Sequence, residues 1–167
     1  MPFHYYLTFL FIIIGFYLLF SLKPRRNIKP INLKDHHVSV IIPARNEFLR
    51  IRPLLDSLKQ YKDDVEIIIV DDHSEDDTGS LASSYGYHVV VPKERPKGWK
   101  GKPWALDQGV SHAKGDIIVF LDADTVLLKH GLEKIVSVFL ETKKPLSIQP
   151  YHQMKTSVER LSVFFNL

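Results

Sequence analysis

The sequence predicts an α/β fold: a mainly parallel sheet flanked by helices. Three observations predict it. From Val38 onward, short β-branched runs alternate with segments whose apolar residues recur at helical spacing. The second run, Val65 to Val70, is apolar after Glu66, the pattern of a strand covered on both faces. Polar clusters follow the first, second and fourth runs, and the carboxyl ends of parallel strands are where open sheets receive ligands.

The first run, Val38 to Ile42, is expected to be a strand ended by Pro43, and Leu49 to Tyr61 carries Leu54, Leu55, Leu58 and Tyr61 at helical spacing. After the second strand, Ser74 to Tyr85 reads as a helix, with Ser74 or Asp76 as its cap and Gly86 as its stop. Tyr87 to Val91 is the third strand. A Lys-, Gly- and Pro-rich loop (Pro92 to Pro103) leads into a helix that ends near Ala113, and Asp116 to Leu121 is the fourth strand. His130 to Glu141 is expected to be helical, Leu146 to Gln149 extended, and Ser157 to Leu167 helical again. Right-handed crossovers then bring the strand ends to one edge.

Before this unit lies a stretch of different character. Residues 3–22 are nearly continuous hydrocarbon without Lys, Arg, Asp or Glu, and about 20 helical residues rise about 30 Å, the thickness of a bilayer's apolar core. The sequence therefore predicts a single-pass transmembrane anchor. Lys23, Arg25, Arg26 and Lys29 follow it in a basic linker (23–37), which places the remainder on the cytoplasmic side of the cell membrane. The main domain is expected over 38–150, and 151–167 begins a further region.

Composition excludes several classes. Of 167 residues, 25% are charged and 45% aliphatic or aromatic, values of a chain that buries a core rather than a disordered one. The net charge of +3 is too small to argue for a nucleic-acid partner. With no cysteine there is no disulfide framework, thiolate zinc site or cysteine nucleophile.

The clusters carry the chemistry. Asp122-Ala123-Asp124 follows an apolar strand, and two carboxylates one residue apart can reach a common point as the chain leaves the sheet. A hard divalent cation takes one or two carboxylates and completes its shell with water and substrate phosphate. The same residues also suit helix capping. In Asp71-Asp72-His73-Ser74-Glu75-Asp76-Asp77, Asp71 or Asp72 can accept from a pyrimidine imide, with Asp72 the preferred candidate. Asp76 and Asp77 suit the next helix's N-terminus, and His73 lacks companions for a metal site. Gly98 to Trp104 offers flexible glycines, cations and two flat rings. Lys102 can pair with phosphate beside a helix start, whereas Trp104 fits a core position and a ligand-facing one equally well. The loop is no Walker motif, and there is no G-x-G-x-x-G fingerprint.

At Val-Ser-Val-Ile-Ile-Pro-Ala-Arg-Asn-Glu (38–47), Ile-Val-Asp-Asp-His-Ser-Glu-Asp (69–76), Gly-Lys-Pro-Trp-Ala-Leu (101–106) and Ala-Lys-Gly-Asp with Phe-Leu-Asp-Ala-Asp (113–124), the chain resembles glycosyltransferase family 2. The apolar N-terminus, the Gly-Lys loop and Ser-Ile-Gln-Pro-Tyr-His (147–152) resemble its carotenoid-acid glucosyltransferases. The resemblance implies an A-type glycosyltransferase fold with a Rossmann-like nucleotide-sugar-binding half. It also implies a UDP-sugar donor, Mg2+ or Mn2+, and inverting transfer of a hexose such as glucose to a lipid or carotenoid-acid acceptor. Carried over by motif, Pro43, Ala44, Arg45 and Glu47 line the nucleotide site and Asp72 meets the uracil. Lys102 lies near the diphosphate, Asp122 near the ribose or metal, and Asp124 is the main metal ligand. In the family the general base comes from an acceptor half that follows Asp-x-Asp, and no copy of it is recognisable here; Glu159 is expected on a solvated helix face. Two alternatives remain beside this expectation: a non-catalytic, membrane-tethered fragment that binds nucleotide sugar, and a sugar nucleotidyltransferase. The latter is disfavoured by the absence of glycine from Pro-Ala-Arg-Asn-Glu.

Overall fold

The computed structural model describes residues 3–21 and 28–148, with side chains over 6–17 and 28–148. The elements in order are α1 (Phe3–Ser21), β1 (Val38–Ala44), α2 (Arg52–Leu58), β2 (Glu66–Asp71), α3 (Thr78–Ser84), β3 (His88–Val90), α4 (Gly101–His112), β4 (Ile117–Phe120) and α5 (Gly131–Thr142). The four strands form one sheet in the order β3-β2-β1-β4, every pair parallel. The chain moves outward from β1 through β2 to β3, and α4 then carries it back across to β4 on the other side of β1. That reversal opens a crevice at the carboxyl ends of β1 and β4.

Alternation along the strands divides the core in two. Val40 and Ile42 of β1 and Ile67 and Ile69 of β2 point to one face, where Leu54, Leu55 and Leu58 of α2, Ala82 of α3 and Leu132 and Val136 of α5 cover them. Ile41, Ile68, Val70 and Val90 point to the other face, against Ala105 of α4. Each buried aliphatic side chain contributes about 1.5–3 kcal/mol. On the α4 face, Gly109 sets the approach distance. A Cβ there would collide with Ile41 Cγ2 and lie 2.9 Å from Val70 Cγ2.

Several expected boundaries move. β1 runs through Pro43 to Ala44 instead of ending at proline. Leu121 N donates to Ile41 O and Asp72 N donates to Ala44 O, so Pro43 faces the β4 side, where β4 has already ended. Its missing N–H therefore costs no ladder bond there. The second segment is a seven-residue helix followed by a 3-10 turn at Lys59–Tyr61. The third helix starts at Thr78, four residues after Ser74: Ser74 Oγ accepts from Asn46 N of the loop after β1, whereas Asp76 accepts from Phe48 N of that loop through Oδ2 and from Thr78 N at the helix start through Oδ1. Asp77 occupies the cap position without a side-chain cap bond. Leu146 to Ile148 lacks strand pairing, and the helix expected over 157–167 lies outside the described residues.

α1 confirms helical structure in the apolar N-terminal stretch. Among the described residues, however, no helix is long and apolar enough to cross a membrane. The spanning anchor expected from the sequence is therefore not supported by the described residues.

Candidate functional site

A cavity of about 400 Å³ opens at the crevice. Pro43, Ala44, Arg45 and Glu47 reach it from the end of β1, Asp72 from the end of β2, and Asp122, Ala123 and Asp124 from the end of β4; Gly101, Lys102 and Ala105 reach it from the start of α4. The eight residues carried over by motif as nucleotide- or metal-binding thus line one space. Gly101, Ala105 and Ala123 join them; Gly101 and Ala105 are four apart on α4, a spacing that puts both on one helix face.

Each wall has a local cause. After β4 the chain turns, with Thr125 N (3.1 Å) and Thr125 Oγ1 (2.7 Å) both donating to Asp122 O. Ala123 is buried in that turn, and Asp122 and Asp124 are left exposed on either side of it. Lys102 Nζ donates to Asp122 Oδ1 at 2.6 Å, so an ammonium and a carboxylate already face each other across the cavity. Asp72 is largely buried, and Arg45 Nη1 lies 3.9 Å from its Oδ2. A Cβ at Gly101 would stand 3.1 Å from that same oxygen, so glycine lets the start of α4 approach Asp72. Asp71, the alternative for base recognition, turns away: its Oδ1 accepts from Ser74 N at 3.1 Å and its Oδ2 abuts Gly79.

Glu47 Oε2 is buried without a hydrogen-bond partner; Arg50 Nε stands 2.9 Å away as an ion pair but without hydrogen-bond alignment. Trp104 does not line the cavity. Its Nε1 donates to Lys93 O at 2.9 Å and its ring meets Trp99 edge-on at 5.4 Å, which makes it a brace for the loop.

For a divalent cation, the donor set is the two exposed carboxylates. Among the described residues no three His, Asp or Glu side chains gather as a metal cage. Two hard carboxylate groups in a cavity that Lys102 and the start of α4 also line fit a cation that takes its remaining ligands from phosphate and water. They do not fit a permanently caged structural ion. His73 stands exposed in a left-handed turn (φ 55°), with no such cluster around it.

Sequence reasoning missed the residues beneath this wall. Asn46, Ser74 and Thr78 join the loops after β1 and β2 through hydrogen bonds. The signal was present in the polar run 74–78, which reads equally well as a helix start.

A family model for Glycosyl transferase family 2 matches residues 39–163. The 4,4'-diaponeurosporenoate glycosyltransferase of Staphylococcus aureus (strain bovine RF122 / ET3-1) is 40% identical over 154 residues, covering 90% of this chain and 41% of that protein. The chain therefore spans less than half the length of such curated relatives. Among solved structures, the mannosyltransferase PcManGT from Pyrobaculum calidifontis, in complex with GDP-Man and Mn2+, superposes with a TM-score of 0.58 at 25% identity; 77% of this chain and 39% of that one are covered. S. aureus TarS gives 0.53 at 28% identity, covering 64% and 20%. M. tuberculosis glucosyl-3-phosphoglycerate synthase gives 0.51 at 32% identity, covering 62% and 40%. With the family model spanning most of the sheet and the strand-end motifs gathered around one cavity, the chain belongs to glycosyltransferase family 2.

Proposed function

We propose that this chain binds the donor in a glycosyltransferase that moves a hexose such as glucose from a uridine-diphosphate sugar to a lipid or carotenoid-acid acceptor with inversion. One observation carries the reading: Arg45, Glu47, Asp72, Lys102, Asp122 and Asp124 come from four separate segments and line the same cavity. Asp72, fixed at the end of β2, offers a carboxylate acceptor to an imide N–H. Arg45 beside it screens that carboxylate and closes one side. Lys102 and the start of α4 present positive charge to a diphosphate. Asp122 and Asp124 would hold Mg2+ or Mn2+, and a cation there supplies charge neutralisation of the leaving diphosphate. The mannosyltransferase complex with GDP-Man and Mn2+ supports a cation-assisted donor site in this fold, and the carotenoid-acid relative supports the acceptor class. The apolar stretch 3–22 and the basic residues after it support a single-pass membrane anchor with the domain on the cytoplasmic side.

The test is calorimetric titration of the full chain with UDP and with GDP, each with and without Mn2+. Tighter binding of UDP, and only with the cation, is expected. Absence of nucleotide binding would refute the donor-site reading, and a preference for GDP would remove the uracil role of Asp72. Protease protection in sealed cells tests the topology.

A further inference from the structure

The cavity wall at Arg45 and Glu47 belongs to a loop with no regular secondary structure, yet its backbone donors are taken up by side chains some 30 residues away. Asn46 N donates to Ser74 Oγ at 3.0 Å, Glu47 N to Thr78 Oγ1 at 2.9 Å and Phe48 N to Asp76 Oδ2 at 3.2 Å. In return, Glu75 N donates to Asn46 Oδ1 at 2.8 Å. Asp76 and Thr78 also bind each other: Thr78 N donates to Asp76 Oδ1 at 3.0 Å, and the Thr78 hydroxyl donates to the same oxygen. Thr78 is fully buried. Its hydroxyl therefore uses its proton on Asp76 and a lone pair on Glu47 N.

Asn46 (φ 54°) and His73 (φ 55°) both adopt the left-handed conformation, which turns the two loops toward one another. None of Asn46, Ser74, Asp76 and Thr78 lines the cavity. They lie behind it, and they hold the backbone of Glu47 itself, of Asn46 and Phe48 on either side of it, and of Glu75 three residues after Asp72.

We propose that Thr78, Asp76 and Asn46 are positioning residues of the donor site, a clip that sets Arg45 and Glu47 of one loop against Asp72 of the other. This rests on the donor-site reading above. It makes nucleotide affinity depend on a hydroxyl that touches no ligand. Thr78→Val keeps the shape of the side chain and removes the hydroxyl; Thr78→Ser keeps the hydroxyl. Asn46→Gly tolerates the left-handed backbone and removes one acceptor at an exposed site.

The experiment uses the full chain in two arms. Calorimetry with UDP and Mn2+ should show affinity falling about tenfold in Thr78→Val, recovering in Thr78→Ser, and falling about threefold in Asn46→Gly. Amide hydrogen exchange without nucleotide should show Asn46, Glu47 and Phe48 protected in wild type and exchanging faster in Thr78→Val. A Thr78→Val chain with lowered Tm but wild-type affinity would reduce Thr78 to support of the fold and overturn the proposal. If wild type binds no nucleotide, the donor-site reading fails and the positioning role with it. The exchange arm still decides the clip itself, and equal exchange in wild type and Thr78→Val would refute it.

Discussion

Lys102 Nζ lies 2.6 Å from Asp122 Oδ1, joining the start of α4 to the end of β4 across the mouth of the cavity. Both side chains are more than half exposed, so the pair adds at most about 1 kcal/mol to stability. Its significance is electrostatic. In the proposed donor site a diphosphate would offer Lys102 a stronger partner and free Asp122 for a cation. Lys102→Met should therefore leave Tm nearly unchanged and weaken UDP binding about tenfold or more, as for a charge-assisted hydrogen bond. Unchanged affinity in calorimetry would remove Lys102 from the diphosphate site.

Asp124 sits exposed one residue beyond the buried Ala123. Its replacement by alanine leaves the core untouched, so stability should shift by no more than about 0.5 kcal/mol. What should disappear is the response to metal. Paired UDP titrations with and without Mn2+ should differ in wild type and coincide in Asp124→Ala; a mutant that still responds like wild type would move the metal elsewhere.

Gly109 sets two effects against each other. Alanine gains about 1 kcal/mol in helix propensity over glycine. The added Cβ would also collide with Ile41 Cγ2 and crowd Val70 Cγ2, and overpacking costs about 1–3 kcal/mol. Because both neighbours belong to central strands, packing should win. Urea denaturation should give a lower midpoint for Gly109→Ala, and nucleotide affinity should fall as α4 shifts Lys102. A midpoint equal to or above wild type would show that α4 can ride outward freely.

The phenols of Tyr61 and Tyr87 predict alkaline behaviour. Burial foremost pushes each up to about 12; the hydrogen bond and charge of Glu133 add to this for Tyr61, and the charges of Tyr85 and Asp56 for Tyr87. Each proton is in use, donated to Glu133 Oε2 and to Leu55 O respectively, both at 2.9 Å. The folded state holds these protons where the unfolded chain, titrating near 10, has released them. Their contribution is therefore complete below pH 10 and is lost as pH rises from 10 to 12. Denaturation midpoints should fall through that window, and the fall should shrink in Tyr61→Phe; a flat profile would show that the phenols ionise as freely as in water.

Much of the site was legible in sequence because strand-end chemistry is local. An apolar strand followed by Asp122-Ala123-Asp124, or by Asp71-Asp72, carries its own placement at the sheet edge. What could not be read locally was partnership. Ser74 and Asp76 have the composition of a helix cap, and only the neighbouring loop, some 28 residues earlier, reveals that Ser74 Oγ and Asp76 Oδ2 are engaged there, while Asp76 Oδ1 stays with Thr78 at the helix start. Pro43 looks like a strand terminator until β4 is known to end beside it. Trp104 fits core or ligand by composition alone, and the carbonyl of Lys93 decides the matter.

The order β3-β2-β1-β4 also has a consequence in time. Val38 pairs with Ile117, so the first strand waits for the last before the sheet is complete. β1, β2 and β3 follow one another in sequence and can assemble from nearby segments, whereas closing the gap to β4 must bring together residues far apart in the chain, a slower event. If that closure comes last, Arg45, Glu47 and Asp72 are in place before it, and Asp122 and Asp124 arrive only with it. During refolding, cation-dependent nucleotide capture should therefore lag behind the burial of Ile68 and Ile69, and its onset marks the moment the final strand docks.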